Sequence, residues 1–130
     1  MEPQVVERED APIRVLVVDD HVILRQGIRE MLNKEQDFQV IAEAENEKEA
    51  LSLNTKLKPD IVLVGIALDH VSGMTTAKQL LRSSPETRVV LYAGSNDEQL
   101  LFEAVRIGVH GYLQKTLSIE DLGVASRTLR

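Results

Sequence analysis

Residues 13–32 read IRVLVVDDHVILRQGIREML, and this stretch decides the fold. Ile13 to Val18 is a mainly apolar run, short enough for a buried parallel strand. Asp19 and Asp20 break it. From Val22 to Asn33 the apolar residues Leu24, Ile28, Met31 and Leu32 return at helical spacing. A strand that feeds an amphipathic helix through two acids is one βα unit, and the rest of the chain repeats the unit.

Phe38 to Ala42 is a second strand, with Asp37 as a turn signal before it. Ala50, Leu53 and Leu57 mark a helical face that Pro59 ends. Ile61 to Val64 is a third strand, and Gly65 stands where it should stop. A helix carrying Ala77, Leu80 and Leu81 follows, then a fourth strand from Arg88 to Leu91. Leu101, Ala104 and Val105 define the face of the next helix, with Gly108 as its stop. Tyr112 to Gln114 is a short fifth strand, and Ser118 caps a last helix holding Leu122, Ala125 and Leu129. Strict alternation of five strands with five helices implies an α/β fold with a parallel sheet covered on both faces. For this size the flavodoxin-like strand order 2-1-3-4-5 is the expected one, with a cleft between strands 1 and 3.

Composition narrows the function. The 130 residues, 43% hydrophobic, make one domain, taken as 13–130 behind a disordered tail at 1–12. With no cysteine there are no disulfides, thiolate metal sites or cysteine nucleophiles. The longest uncharged apolar stretch, Ile61 to Leu68, is far short of the roughly 18 residues a membrane span needs. The acidic opening MEPQVVERED lacks the layout of a signal peptide, so a cytoplasmic protein is expected. A net charge of −6 argues against this segment gripping nucleic acid by itself.

In such a sheet, ligands bind at the carboxyl ends of the strands. Here those ends carry Asp19-Asp20, Gly65, Tyr92-Ala93-Gly94 and Lys115. Two adjacent acids beside a lysine suit a hard cation and a phosphoryl group, because magnesium takes oxygen ligands from one or two carboxylates plus phosphate.

The segments IRVLVVDDHVILRQGIREML, KPDIVLVGIAL and GVHGYLQK together resemble a receiver domain of bacterial two-component response regulators. DDH followed by RQGI, and GYLQK with no proline after the lysine, resemble the NarL/FixJ (LuxR-type) subfamily. The gaps of 45, 28 and 22 residues from Asp20 to 65, 93 and Lys115 are similar to those of the family. The resemblance implies that Asp19 and Asp20 are the acidic pair that holds Mg2+, with the Ala67 carbonyl on the same ion. It makes Lys115 the partner of the phosphoryl oxygens and Tyr112 the aromatic that reports activation. It also places Gly65 at the aspartate that accepts a phosphoryl group from a histidine kinase, and Ala93 at the Ser or Thr that senses it. Asp69 stands where proline is common. Acceptor and sensor are both missing. The expectation is a pseudo-receiver, not an enzyme, acting by protein contacts or as a homodimer. Mg2+ binding is expected to be weak, and DNA is reached only through a separate C-terminal helix-turn-helix domain.

Other readings stand beside these. Asp69 is a substitute acceptor in one of them, and Gly65 an introduced substitution in another. Asp20 reads equally as a helix cap, Lys115 as a salt-bridge partner of Asp19 or Asp20, and Asp69 as a turn residue. His21, His70 and His110 share no ligand spacing and read as surface residues. Tyr92 is expected to pack beneath the loop after strand 4. A flavodoxin-like cofactor binder is disfavoured, since DDH after strand 1 would repel a phosphate.

Overall fold

The run after Pro12 forms the first strand, β1 (Ile13–Val18), and the amphipathic segment behind it forms α1 (Val22–Asn33). A computed structural model describes residues 11–66, 70–93 and 98–114 of the chain. It continues with β2 (Phe38–Ala44), α2 (Glu47–Leu57), β3 (Ile61–Ile66), α3 (His70–Ser83), β4 (Arg88–Ala93), α4 (Glu98–Ile107) and β5 (Gly111–Gln114). The strands are all parallel, in the order β2-β1-β3-β4-β5. This is the flavodoxin-like order expected from the alternation. Four helices lie among the described residues, whereas the fifth, expected after Ser118, falls outside them.

Side chains alternate between the two faces of each strand, so parity divides the core. Leu16, Val18, Val62, Val64, Ile66, Val89, Leu91 and Ala93 face Ala50 of α2, Met74, Ala77 and Leu80 of α3, and Leu100 and Ala104 of α4. Ile13, Val15, Val17, Ile61, Leu63, Val90 and Tyr92 face Leu24, Ile28 and Leu32 of α1. Burial on both sides explains why the strands read as nearly continuous apolar runs.

Local chemistry fixes the ends of the elements. Asn46 caps α2 by accepting the Glu49 amide at 2.9 Å, and Glu49 Oε1 reaches back to the Glu45 amide at 2.9 Å, an arrangement close to a capping box. Lys58, at φ 49°, ends α2 ahead of Pro59. Arg14 then bonds the last carbonyls of that helix, Leu57 at 2.6 Å and Lys58 at 2.7 Å. Gly108, at φ 92°, stops α4 as expected, since a side chain there would be strained.

Two expectations need correction. β2, β3 and β4 each run two residues further than the apolar runs suggested, so Gly65 lies inside β3 and pairs with Tyr92. The inner face of α4 is Leu100 and Ala104, while Leu101, Phe102 and Val105 are 42%, 73% and 69% exposed. At the start of α3, a Cβ on Gly73 would come within 2.8 Å of Ile66 Cγ1, so only glycine lets this helix lie so close to the end of β3.

Candidate functional site

The carboxyl edge of β1, β3 and β4 brings three residues together. β1 pairs Val18 with Val64, and β3 pairs Gly65 with Tyr92, so Asp19, one step beyond Val18, reaches the row of Gly65 and Tyr92. By parity all three point to the α1 face. With no side chain at 65, the Tyr92 ring crosses the gap and donates its hydroxyl to Asp19 Oδ2 at 2.6 Å. A Cβ placed on Gly65 would overlap Asp19 Oδ2 and lie 2.8 Å from Asp19 Cγ and 2.9 Å from Tyr92 Cζ. The room over residue 65 is already filled.

Asp19 is 3% exposed and Tyr92 4%, so water does not compete for their bond. Burial above all, then the hydrogen bond to Asp19 and its negative charge, pushes the Tyr92 phenol far above its ordinary value. It stays a donor wherever the fold persists.

The other oxygen of Asp19 is engaged as well. Oδ1 accepts the His21 amide at 2.8 Å and stands 3.0 Å from His21 Nδ1, which also lies 3.1 Å from Asp20 Oδ1. The Asp19 carbonyl accepts Arg25 Nη1 at 2.5 Å, and Arg25 Nε bonds Glu43 Oε1 at 3.0 Å. Arg29 adds a second contact to Glu43 at 2.9 Å. One turn into α1, Arg25 thus fixes the end of β1 through the Asp19 carbonyl. A cleft of about 260 Å³ opens beside Asp19, lined by Asp20, Glu45, Glu47, Gly65 and Thr76 among others.

Several sequence readings change at this point. His21, not Asp20, is the capping residue of α1; its side chain makes no capping bond, and its amide is held by Asp19. His21 belongs to the acidic cluster, since one ligand-type atom each from Asp19, Asp20 and His21 lie within 4.8 Å of one another. His110 is half-buried, and its Nδ1 accepts the Val89 amide at 3.1 Å. Tyr92 bonds Asp19 Oδ2, while the loop after β4, beneath which it was expected to pack, lies outside the described residues. Tyr112 packs against the core on the opposite face of the sheet, the face on which Ala93 pairs beside Ile66. Ala67, Asp69 and Lys115 lie outside the described residues. The sequence signal for Tyr92 was its parity with Val90 beside a glycine, since an aromatic ring laid over a strand glycine is a recurrent way to fill the gap.

The model of the response regulator receiver domain family matches residues 15–127. The chain belongs to that family. The transcriptional regulatory protein YdfI of Bacillus subtilis (strain 168) is 34% identical over 109 residues, covering 84% of this chain and 51% of that protein. The nitrate/nitrite response regulator protein NarL of Escherichia coli (strain K12) is 32% identical over 111 residues, covering 85% of this chain and 51% of that protein. The receiver therefore spans about half the length of these curated relatives. A LuxR family two-component response regulator from Aurantimonas sp. SI85-9A1 superposes with a TM-score of 0.83 at 25% identity, over 91% of this chain and 84% of that one. The signal receiver domain of the putative response regulator NarL from Mycobacterium tuberculosis gives a TM-score of 0.78 at 24% identity, over 89% of this chain and 97% of that one, and speaks for the fold alone.

Receiver domains generally bind Mg2+ at an acidic site. Here the donors do not fit a preformed one. Residue 65 brings no carboxylate, both oxygens of Asp19 are in hydrogen bonds, and the Asp20 side chain stands 68% exposed. Magnesium is usually held by one or two carboxylates plus phosphate, and here Asp19 is already shared between His21 and Tyr92. Among the described residues, no helix is long and apolar enough to cross a membrane.

Proposed function

We propose that this chain is the receiver of an atypical NarL/FixJ-type response regulator that takes no phosphoryl group and acts through protein contacts in transcription regulation. Gly65 stands at the acceptor position and Ala93 at the sensor position, while Asp19, Asp20, Ala67, Lys115 and Tyr112 are remnants of the phosphoryl pocket. The filled room over Gly65 carries this reading. A site that merely lacked its acceptor would leave a void, whereas here Tyr92 and Asp19 close the space with a buried hydrogen bond.

The domain, 13–130 behind a tail at 1–12, works in the cytoplasm. Its partners are a second copy of the chain and a histidine kinase or other regulatory protein. The exposed stripe of Leu101, Phe102 and Val105 on α4 supports a contact role. DNA is reached only through a separate C-terminal helix-turn-helix domain, consistent with relatives about twice as long. Mg2+ binds at about millimolar strength or weaker, because the carboxylate set is incomplete.

Incubation with acetyl phosphate and Mg2+, followed by intact-mass measurement, tests the reading. The mass is expected to stay unchanged. Stoichiometric labelling would overturn the proposal, and a label mapped to Asp69 would make that residue a substitute acceptor.

A further inference from the structure

We infer that Tyr92 is a latch: its hydroxyl, held by Asp19 across Gly65, ties the carboxyl end of β4 to β1 and competes with cations for Asp19. The inference rests on the reading of residue 65 as a vacated position, because only a missing side chain admits the ring.

The bond is short and buried, at 2.6 Å between residues 4% and 3% exposed. It spans the sheet from β4 over β3 to the end of β1, so it acts on the relative positions of two strands that do not pair with each other. A cation on Asp19 Oδ2 draws on the same negative charge that holds the phenol, so each weakens the hold of the other. Two ligands that weaken each other at one atom are coupled, and the coupling is reciprocal. Releasing the phenol favours the cation, and binding the cation frees the end of β4. The consequence reaches the surface through packing. Leu91 and Ala93 of β4 share one core with Leu100 and Ala104 of α4, whose outer side carries the exposed Leu101, Phe102 and Val105.

The test is a titration with MgCl2 and no phosphoryl donor, so its failure is separate from failure of the pseudo-receiver reading. The whole chain and its Tyr92→Phe variant are compared by amide chemical shifts at residues 19–21 and hydrogen exchange across β4. Tyr92→Phe keeps the ring and removes the hydroxyl that Asp19 holds. Its half-saturating Mg2+ concentration is expected to fall by about tenfold or more, the weight of one hydrogen bond to a buried charge. Its amides at residues 91–93 are expected to exchange about tenfold faster, and in the unaltered chain Mg2+ should speed up the same amides. Equal Mg2+ affinity in the two proteins overturns the inference, as does equal exchange. Should the variant fail to fold, the unaltered protein decides. A slowly exchanging Tyr92 hydroxyl proton whose exchange quickens as Mg2+ saturates supports the latch, and its absence, or unchanged exchange at saturation, overturns it.

Discussion

Gly65 and Tyr92 are register partners on β3 and β4, and the tyrosine ring shares with the Asp19 carboxylate the room that any side chain at 65 would need. The pair behaves as one unit. A substitution at either position is therefore read through the other.

Restoring an aspartate is the first case. Gly65→Asp drives a Cβ into Asp19 and Tyr92, and overpacking of this kind costs about 1–3 kcal/mol. Gly65→Asp/Tyr92→Val should differ from the sum of the two single changes, because both act on the room shared with Asp19, a non-additivity visible in urea midpoints. Acetyl phosphate should label the double variant more fully than the single one, since positioning and charge neutralisation supply most of phosphoryl-transfer catalysis. Phosphorylation-dependent dimerisation should still require Ala93→Thr as well. Full labelling and switching by Gly65→Asp alone would show that the two positions are independent.

α4 offers a comparison between neighbours. Leu100 is 3% exposed and Leu101 42%. Leu100→Ala should cost about 2–5 kcal/mol, as large-to-small changes in cores do. Leu101→Ala should stay within about 1 kcal/mol. Chemical denaturation of the two variants measures the difference, and equal losses would contradict the observed helix face.

His110 gives the domain a pH dependence. Burial first, and the positive charge of Arg88 second, lower its pKa below the ordinary 6.5. In the fold its bare Nδ1 accepts the Val89 amide, a bond only the neutral ring can make. A depressed folded pKa means that the unfolded chain takes up the proton first as pH falls. The contribution is complete above pH 6.5 and is lost as pH drops from there through the folded value. His110→Gln keeps an acceptor that does not titrate. Urea midpoints at about pH 7.5 and about pH 5 should differ less in this variant than in the unaltered chain.

Arg14 joins β1 to the end of α2. Its guanidinium bonds two carbonyls at the negative end of the helix dipole, at 2.6 and 2.7 Å. Arg14→Ala should lower stability by about 1–2 kcal/mol. Arg14→Lys should restore only part of this, because an ammonium lacks the planar fork that reaches both oxygens. Thermal melting of the two variants provides the check.

The starts of β1 to β4 were legible in the sequence, as was the end of β1, but the ends of β2, β3 and β4 were not. Ile13, Phe38, Ile61 and Arg88 each follow a turn residue or a proline-containing turn, and the structure begins each strand there. The ends run on through Glu43-Ala44, Gly65-Ile66 and Tyr92-Ala93, where an acid, a glycine or an alanine interrupts the apolar run and parallel partners hold the strand in place. The segment EQLLFEAVRI of α4 is apolar on more than one side, so helical spacing alone could not choose between Leu100 and Leu101. The acidic pair was visible as adjacent letters. Its bond to Tyr92 was not, because it joins residues 73 positions apart and depends on a strand register that only the folded sheet sets.

The Cβ that Gly65 lacks also bears on heredity. With Tyr92 and Asp19 sharing its room, an aspartate introduced at 65 enters a place already taken. On the proposed reading, a lineage carrying this arrangement meets a fitness valley on the way back to phosphate dependence, a ratchet made of one aromatic ring and one carboxylate.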